Sequence, residues 1–333
     1  MIGLPLVTLY LTDRCNSRCV TCDYWRHGRD NLTLEALQRL LPDLVARGTR
    51  VALLSGGEPL LNRQWREIAD ALRARDISLW LLTSGLSLAK HAHDAARVFE
   101  AITVSLDGTT PSTYEAIRGL DAFDKVCAGV RAATAEGVRV GLRVTVQRAN
   151  YRELPRFVSL ARELGANQVS FLAVDVSNPH AFGRNQAFAD NLALAGEDLQ
   201  GFAGVLDDME NEFAAEFASG FIAESPSKLR RLQGYFAALR GQGEFPSVRC
   251  NAPEFSAVIG VDGRVSPCFF IPGPAPSAGR FDLGATLESQ AMQDLRADIR
   301  AGRRRECERC VCTLWREPGE LQDAQRLLRV RHG

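Results

Sequence analysis

The sequence predicts an α/β protein: an open, TIM-like partial barrel of six β/α units, (β/α)6, followed by a small cysteine-rich domain. Three observations carry this. Short apolar runs alternate with segments of helical apolar spacing as far as residue 174, the pattern of parallel strands joined by helical crossovers. Six such units are too few to close an eight-fold barrel, so the sheet stays open. From Gly241 onward the chain becomes rich in Pro, Gly and Cys, which sets the expected domains at residues 1–240 and 241–333.

The units follow in order. Residues 7–11 read as a first strand that delivers Cys15 through the turn Thr12-Asp13-Arg14. A helix over 33–46, with Thr33 as N-cap and Gly48 beyond its end, leads to a strand at 51–54 and then to Gly56-Gly57-Glu58-Pro59. A helix at 64–74 precedes the strand 78–82, which ends in Thr83-Ser84-Gly85. A helix at 90–98 precedes the strand 102–106, which runs into Asp107-Gly108. Helices at 111–117 and 123–136 lead to the longest strand, 138–147, which carries Arg143. A helix at 154–164 and a sixth strand at 168–174 complete the set. Polar and glycine-rich residues gather at the C-terminal ends of these strands, as expected of one site fed by several of them.

Beyond Val174, residues 177–191 read as a loop with His180, Arg184 and Asn185, a candidate for substrate selection. Amphipathic helices are expected at 197–218 and 227–239, a hairpin at 256–267 turning on Asp262-Gly263, and a last helix at 287–299.

Composition excludes several function classes. Lys+Arg and Asp+Glu balance at 40 each, so bulk charge gives no reason to expect nucleic acid or an anionic membrane as partner. The run Arg303-Arg304-Arg305 reads as a solvated helix end. No apolar stretch approaches the ~20 residues of a membrane span, and the N-terminus has neither a basic n-region nor a cleavage site. Clustered cysteines in a long chain of this kind read as metal ligands in a reducing cytoplasm rather than as disulfides. Cys127, alone in a helical pattern, reads as a small buried side chain.

Cys15, Cys19 and Cys22 stand at C-x3-C-x2-C spacing just after the first strand. Three thiolates on one loop can hold an iron–sulfur cube whose fourth iron is left open for a small molecule. Zinc shares such spacing but wants a fourth ligand nearby, for which His27 is the nearest candidate.

In kind, order and spacing, the cysteine loop, Gly56-Gly57-Glu58-Pro59, Thr83-Ser84-Gly85 and Ser105-Leu106-Asp107-Gly108 resemble the radical S-adenosylmethionine enzymes over residues 5–175. The resemblance implies a [4Fe–4S] cluster on Cys15, Cys19 and Cys22 whose open iron binds the amino and carboxylate groups of S-adenosylmethionine. It implies cofactor contacts from Gly56, Gly57, Glu58, Thr83, Ser84, Ser105 and Asp107. Arg143 is a candidate for neutralising a carboxylate of cofactor or substrate. The sequence departs from the family at Thr21, where an aromatic residue often packs on adenine; Tyr24 and Trp25 are the substitutes in reach.

Cys250 and Cys268, with Gly263 between them, and the pair Cys307 and Cys310 resemble the twitch form of the SPASM extension. That implies a second, auxiliary [4Fe–4S] cluster, with zinc in a four-cysteine site as the alternative. Cys312 is left as an exchanged ligand, an inert thiol or a hydrogen-atom donor to a substrate radical. By resemblance, the enzyme takes an electron from a flavodoxin- or ferredoxin-type reductant and forms a 5′-deoxyadenosyl radical. The radical then abstracts hydrogen from a small polar metabolite such as a sugar, aminocyclitol or aminoglycoside, and oxidation of an alcohol to a ketone is the leading reading. Epimerisation or deoxygenation of the same substrates is the nearest alternative. Peptide maturation is a further one, against which stands the lack of an added recognition domain before Val7. A non-enzymatic metal-binding protein is the third class.

Overall fold

Six parallel strands build the barrel wall: β1 (Leu6–Thr12), β2 (Val51–Gly56), β3 (Ser78–Thr83), β4 (Ala101–Ser105), β5 (Arg139–Val146) and β6 (Gln168–Ala173). The computed structural model describes residues 3–184, 190–274 and 281–324. Asn185, assigned from sequence to the selection loop, lies outside the described residues.

Each strand of the wall splits its side chains between two faces, as the two-residue period of a pleated strand requires. On β5, Val140, Leu142, Val144 and Val146 are fully buried under the helices, whereas Gly141, Arg143 and Thr145 share the opposite, inner face. Val7, Leu9 and Leu11 of β1, Leu79 and Leu81 of β3, and Ile102 and Val104 of β4 continue the same apolar layer. Burying each such side chain contributes roughly 1.5–3 kcal/mol, which is what fixes strand register and the direction of Arg143.

The helices follow the sequence closely. Thr33 caps the helix Leu34–Ala46 by accepting the Ala36 N–H at 3.1 Å. Two long helical segments are interrupted. The predicted 197–218 helix is two, Glu197–Glu212 and Ala214–Ser219, because Phe213 leaves helical geometry with its side chain buried. The final one is also two, Leu283–Glu288 and Gln290–Arg300, because Ser289 turns extended and caps the second with its hydroxyl.

The C-terminal hairpin makes a pairing that leaves no local mark in the chain. Its strands β7 (Ser256–Ile259) and β8 (Val265–Ser266) pair antiparallel, with Gly263 at φ +81° in the turn. β7 also pairs parallel with β1, Leu6 opposite Ser256 and Leu9 opposite Ile259. The result is one eight-stranded sheet in the order β6-β5-β4-β3-β2-β1-β7-β8. At the strands' N-terminal ends, Leu321 and Ala324 pack against Val51, Leu6 and Trp80 as a floor. Beside that floor is a cavity of about 530 Å³, lined by Trp80, Thr103, Arg139, Gly141 and Gln168 among others. It lies at the opposite end of the strands from the cysteines, so it is not where their chemistry takes place.

Candidate functional site

The site forms at the C-terminal ends of the strands, where three loops lock together. The cysteine loop leaves β1 and lies across the end of β2: the Gly57 N–H donates to the Thr12 carbonyl at 2.7 Å and the Glu58 N–H to the Arg14 carbonyl at 2.8 Å. This contact explains both glycines. A Cβ on Gly56, whose φ is +124°, would stand 2.1 Å from the Thr12 carbonyl oxygen, and one on Gly57 would stand 2.2 Å from that of Arg14. Gly56 and Gly57, which the family resemblance implies as cofactor contacts, first of all make room for the cysteine loop.

Glu58 is fully buried, and its carboxylate is filled from within the chain. Oε1 accepts from the Leu60 N–H (3.2 Å) and Thr83 Oγ1 (2.8 Å), and Oε2 from the Ser84 N–H (2.7 Å) and Ser84 Oγ (2.6 Å). Burial pushes its carboxyl up from the ordinary value, and these bonds pull it back. Glu58, Thr83 and Ser84 thus form one strut between β2 and β3. Ser84 Oγ also reaches Asn16 in the cysteine loop at 3.4 Å.

A second strut lies behind Cys19. Asp107 is 3% exposed, pairs with Arg118 at 2.7 Å and accepts the Thr145 N–H at 2.7 Å. Burial raises the Asp107 carboxyl and the Arg118 guanidinium opposes that rise. Arg118 Nη1 in turn reaches Cys19 Sγ at 3.5 Å, and its backbone carbonyl accepts the Arg18 N–H at 3.0 Å. Arg118 was not singled out from sequence, since an arginine at a helix end before Gly119 reads as solvated. The one available signal was its place eleven residues after Asp107, which points to nothing by itself.

Ser105 and Arg143 are register partners on β4 and β5. The Arg143 Nε is buried and has no hydrogen-bond partner among the described residues. Of the aromatic substitutes for Thr21, Tyr24 is packed edge-on against Tyr10 at 6.0 Å and lies under Gly183, while the Arg26 guanidinium covers the Trp25 ring at 4.1 Å. Residues 177–184 close over the cysteine loop, with Cys22 Sγ donating to the Phe182 carbonyl at 3.3 Å.

The C-terminal cysteines gather around one another. Cys268 lies within electrostatic reach of Cys250 and Cys307, and Cys310 within reach of Cys312, Cys268 and Cys250. Burial pushes Cys22 and Cys268 up to about 12 and Cys15 and Cys307 up to about 11. Thiols shifted this way ionise at neutral pH only when a metal replaces the proton. Among the described residues, no three Cys, His, Asp or Glu side chains are grouped closely enough to hold a single metal ion. The Tyr10 hydroxyl is within reach of both Cys22 and Cys268, and its ring packs 6.5 Å from Phe269. One side chain of β1 therefore adjoins both cysteine sets. Cys312 adjoins the same set, within electrostatic reach of Cys310 and Cys250, and its other neighbours are Arg143, Lys228 and Glu224. Cys127 is buried in the helix Phe123–Ala135, away from both sets.

Residues 9–161 match the Radical SAM superfamily model, and this stretch of the chain is a radical SAM domain. It is 34% identical over 179 residues to a probable GTP 3′,8-cyclase of Saccharolobus solfataricus, covering 51% of this chain and 58% of that protein. It is 31% identical over 177 residues to Fe-coproporphyrin III synthase of Methanosarcina barkeri, covering 50% and 43%. The chain thus spans about half the length of these curated relatives. In fold it is similar to Streptococcus suis SuiB bound to S-adenosylmethionine (TM-score 0.65, 14% identity, 94% of this chain and 73% of that one). It is also similar to anSMEcpe with bound AdoMet (TM-score 0.65, 16% identity, 92% and 88%). No helix among the described residues is long and apolar enough to cross a membrane.

Proposed function

We propose that the chain is a radical S-adenosylmethionine enzyme that oxidises an alcohol of a small polar metabolite to a ketone. The observation that carries this reading is the meeting of two cysteine sets at one end of the barrel, with Tyr10 adjoining both. Cys15, Cys19 and Cys22 would hold the [4Fe–4S] cluster that binds the cofactor. Cys250, Cys268, Cys307 and Cys310 would hold an auxiliary one, as in twitch domains. When bound, the cofactor and first cluster supply a 5′-deoxyadenosyl radical, and a flavodoxin- or ferredoxin-type reductant supplies the electron.

The chain's own residues bind, orient and exclude water. The Glu58–Thr83–Ser84 strut fixes the β2 and β3 ends that face the cofactor. The Gly56-Gly57 backbone seats the cysteine loop against them, and Arg118 sets a cation beside Cys19, offsetting thiolate charge. Ser105 and Arg143 would take the cofactor's carboxylate: the buried, unpartnered Nε is a donor in want of an acceptor. The alcohol would surrender a hydrogen atom, then a proton and an electron, and a cluster held by Cys250, Cys268, Cys307 and Cys310 would supply the acceptor for that electron. The two curated relatives carry names with different products, each over about half of this chain. The matched portion therefore supports the radical machinery and leaves the substrate to the rest.

The test is anaerobic reconstitution of the full chain, followed by iron analysis and chromatography of the reaction with a strong reductant. About eight irons per chain and reductant-dependent 5′-deoxyadenosine are expected. A chain that retains only zinc, or that loads iron and never cleaves the cofactor, would overturn the proposal.

A further inference from the structure

Only three of the 40 cationic side chains are lysines: Lys90, Lys125 and Lys228. The first two are exposed, as a lysine ordinarily is. Lys228 is 8% exposed and breaks three local rules at once. It is buried. It is the third residue of the fourteen-residue helix Pro226–Leu239, at the positive end of the helix dipole, whose first turn has no acidic residue. And among the described residues, no carboxylate forms an ion pair with it.

Its surroundings make the choice of residue more specific. Lys228 shares a cleft with Ala173, the last residue of β6, and with Cys310, Val311 and Thr313. That puts it at the same end of the strands as the cysteines. Arg143, Glu224 and Cys312 lie within electrostatic reach. Of the nearby acids, Glu308 is exposed on the cleft, and the buried Glu224 has its Oε2 engaged by the Phe171 N–H at 2.8 Å, where it caps the edge of β6. Burial pushes the Lys228 ammonium down to about 8, with Glu224 opposing the fall and Arg143 and Arg231 adding to it. A compact point charge on a flexible stem suits a ligand oxyanion better than a structural fork pairing would, for which this chain uses arginine everywhere else.

We propose that the Lys228 ammonium is the anchor for an oxyanion of the substrate, a carboxylate or a phosphate; the N-terminus of its helix is already capped by Ser225, whose hydroxyl accepts the Lys228 N–H at 3.3 Å. This rests on the reading of the chain as a radical enzyme with its substrate between the two cysteine sets. It narrows the substrate class to a hydroxylated acid or a phosphorylated polyol. It also disfavours an aminoglycoside, whose ammonium groups would meet that of Lys228. A ligand anion would pair with the ammonium, whereas an apolar or cationic ligand would leave it as it stands.

The experiment is equilibrium dialysis of the reconstituted full chain, with S-adenosylmethionine present, against radiolabelled inorganic phosphate and, separately, acetate. One saturable site is expected for at least one of the two probes, and which one tells phosphate from carboxylate. The site should weaken at least about tenfold in Lys228→Gln, survive in Lys228→Arg, and be unchanged in the exposed control Lys90→Gln. Absence of a saturable site for both probes, or its persistence in Lys228→Gln, overturns the proposal. Iron content and 5′-deoxyadenosine are read on the same samples. A fully loaded, cofactor-cleaving enzyme without the site sinks only this inference; anion binding by a chain that never cleaves the cofactor sinks the reading beneath it.

Discussion

Replacing Glu58 by Gln removes one negative charge and almost no volume, and the structure gives the size of the effect. The carboxylate accepts four bonds, two of them from the backbone N–H groups of Leu60 and Ser84. The hydroxyls of Thr83 and Ser84 can rotate to accept from an amide, but the two N–H groups cannot. Whichever way the new amide turns, its NH2 faces one buried N–H, an orphaned donor worth roughly 1–3 kcal/mol. The remaining bonds also lose their charge assistance, at roughly 1 kcal/mol or more between them. Relief of the buried charge offsets part of this, so a loss of about 3 kcal/mol is expected. Urea unfolding of the anaerobic enzyme, followed by circular dichroism, should show a midpoint lowered by about 1 M. Ser84→Ala should couple with Glu58→Gln rather than add to it, since the two remove the same bonds. A Glu58→Gln enzyme within about 0.5 kcal/mol of the parent would refute the strut, and if cofactor affinity alone fell, the carboxylate would be a ligand group only.

Four further outcomes follow from the same geometry. Gly57→Ala should lose the iron of the N-terminal set, because its Cβ would stand 2.2 Å from the Arg14 carbonyl oxygen and push the cysteine loop away; iron analysis checks it. Arg118→Met should destabilise by about 3–5 kcal/mol by stranding the buried Asp107, and Asp107→Asn in the same chain should recover much of that in a double-mutant cycle of unfolding. Serine at Cys250, Cys268, Cys307 or Cys310 should roughly halve the iron content, while serine at Cys127 leaves it unchanged. Serine at Cys312, which adjoins both Cys310 and Cys250, should leave iron content intact where Cys307 and Cys310 complete the set; loss of half the iron there would instead make Cys312 a ligand.

What could be read from the sequence follows from what leaves a local mark. The six strands of the wall are short, apolar and bounded by turns, because both their faces are covered, and they were legible almost to the residue. The cysteine spacing was legible because a loop that brings thiols together must be short. Glu58 and Asp107 were legible as special but not as struts, since their partners Ser84 and Arg118 come from other loops and only the folded chain joins them. Arg118 and Lys228 carry no local sign of burial: each sits near a helix end, where a cation usually meets water. The pairing of β7 with β1 spans some 250 residues of chain with a four-residue strand, and nothing near Ser256 records its partner.

That pairing also determines how this protein can be divided. A chain cut after residue 240 would keep all six strands of the wall and every residue of the N-terminal cysteine loop. It would still not be a free-standing barrel. Removing β7 strips the hydrogen-bonding edge of β1 from Leu6 to Leu9, a run of alternating apolar side chains with no proline or charge to guard it. Such a bared edge recruits other chains. The C-terminal hairpin, whatever group its cysteines hold, is also the cover that keeps the first strand from joining a neighbour's sheet.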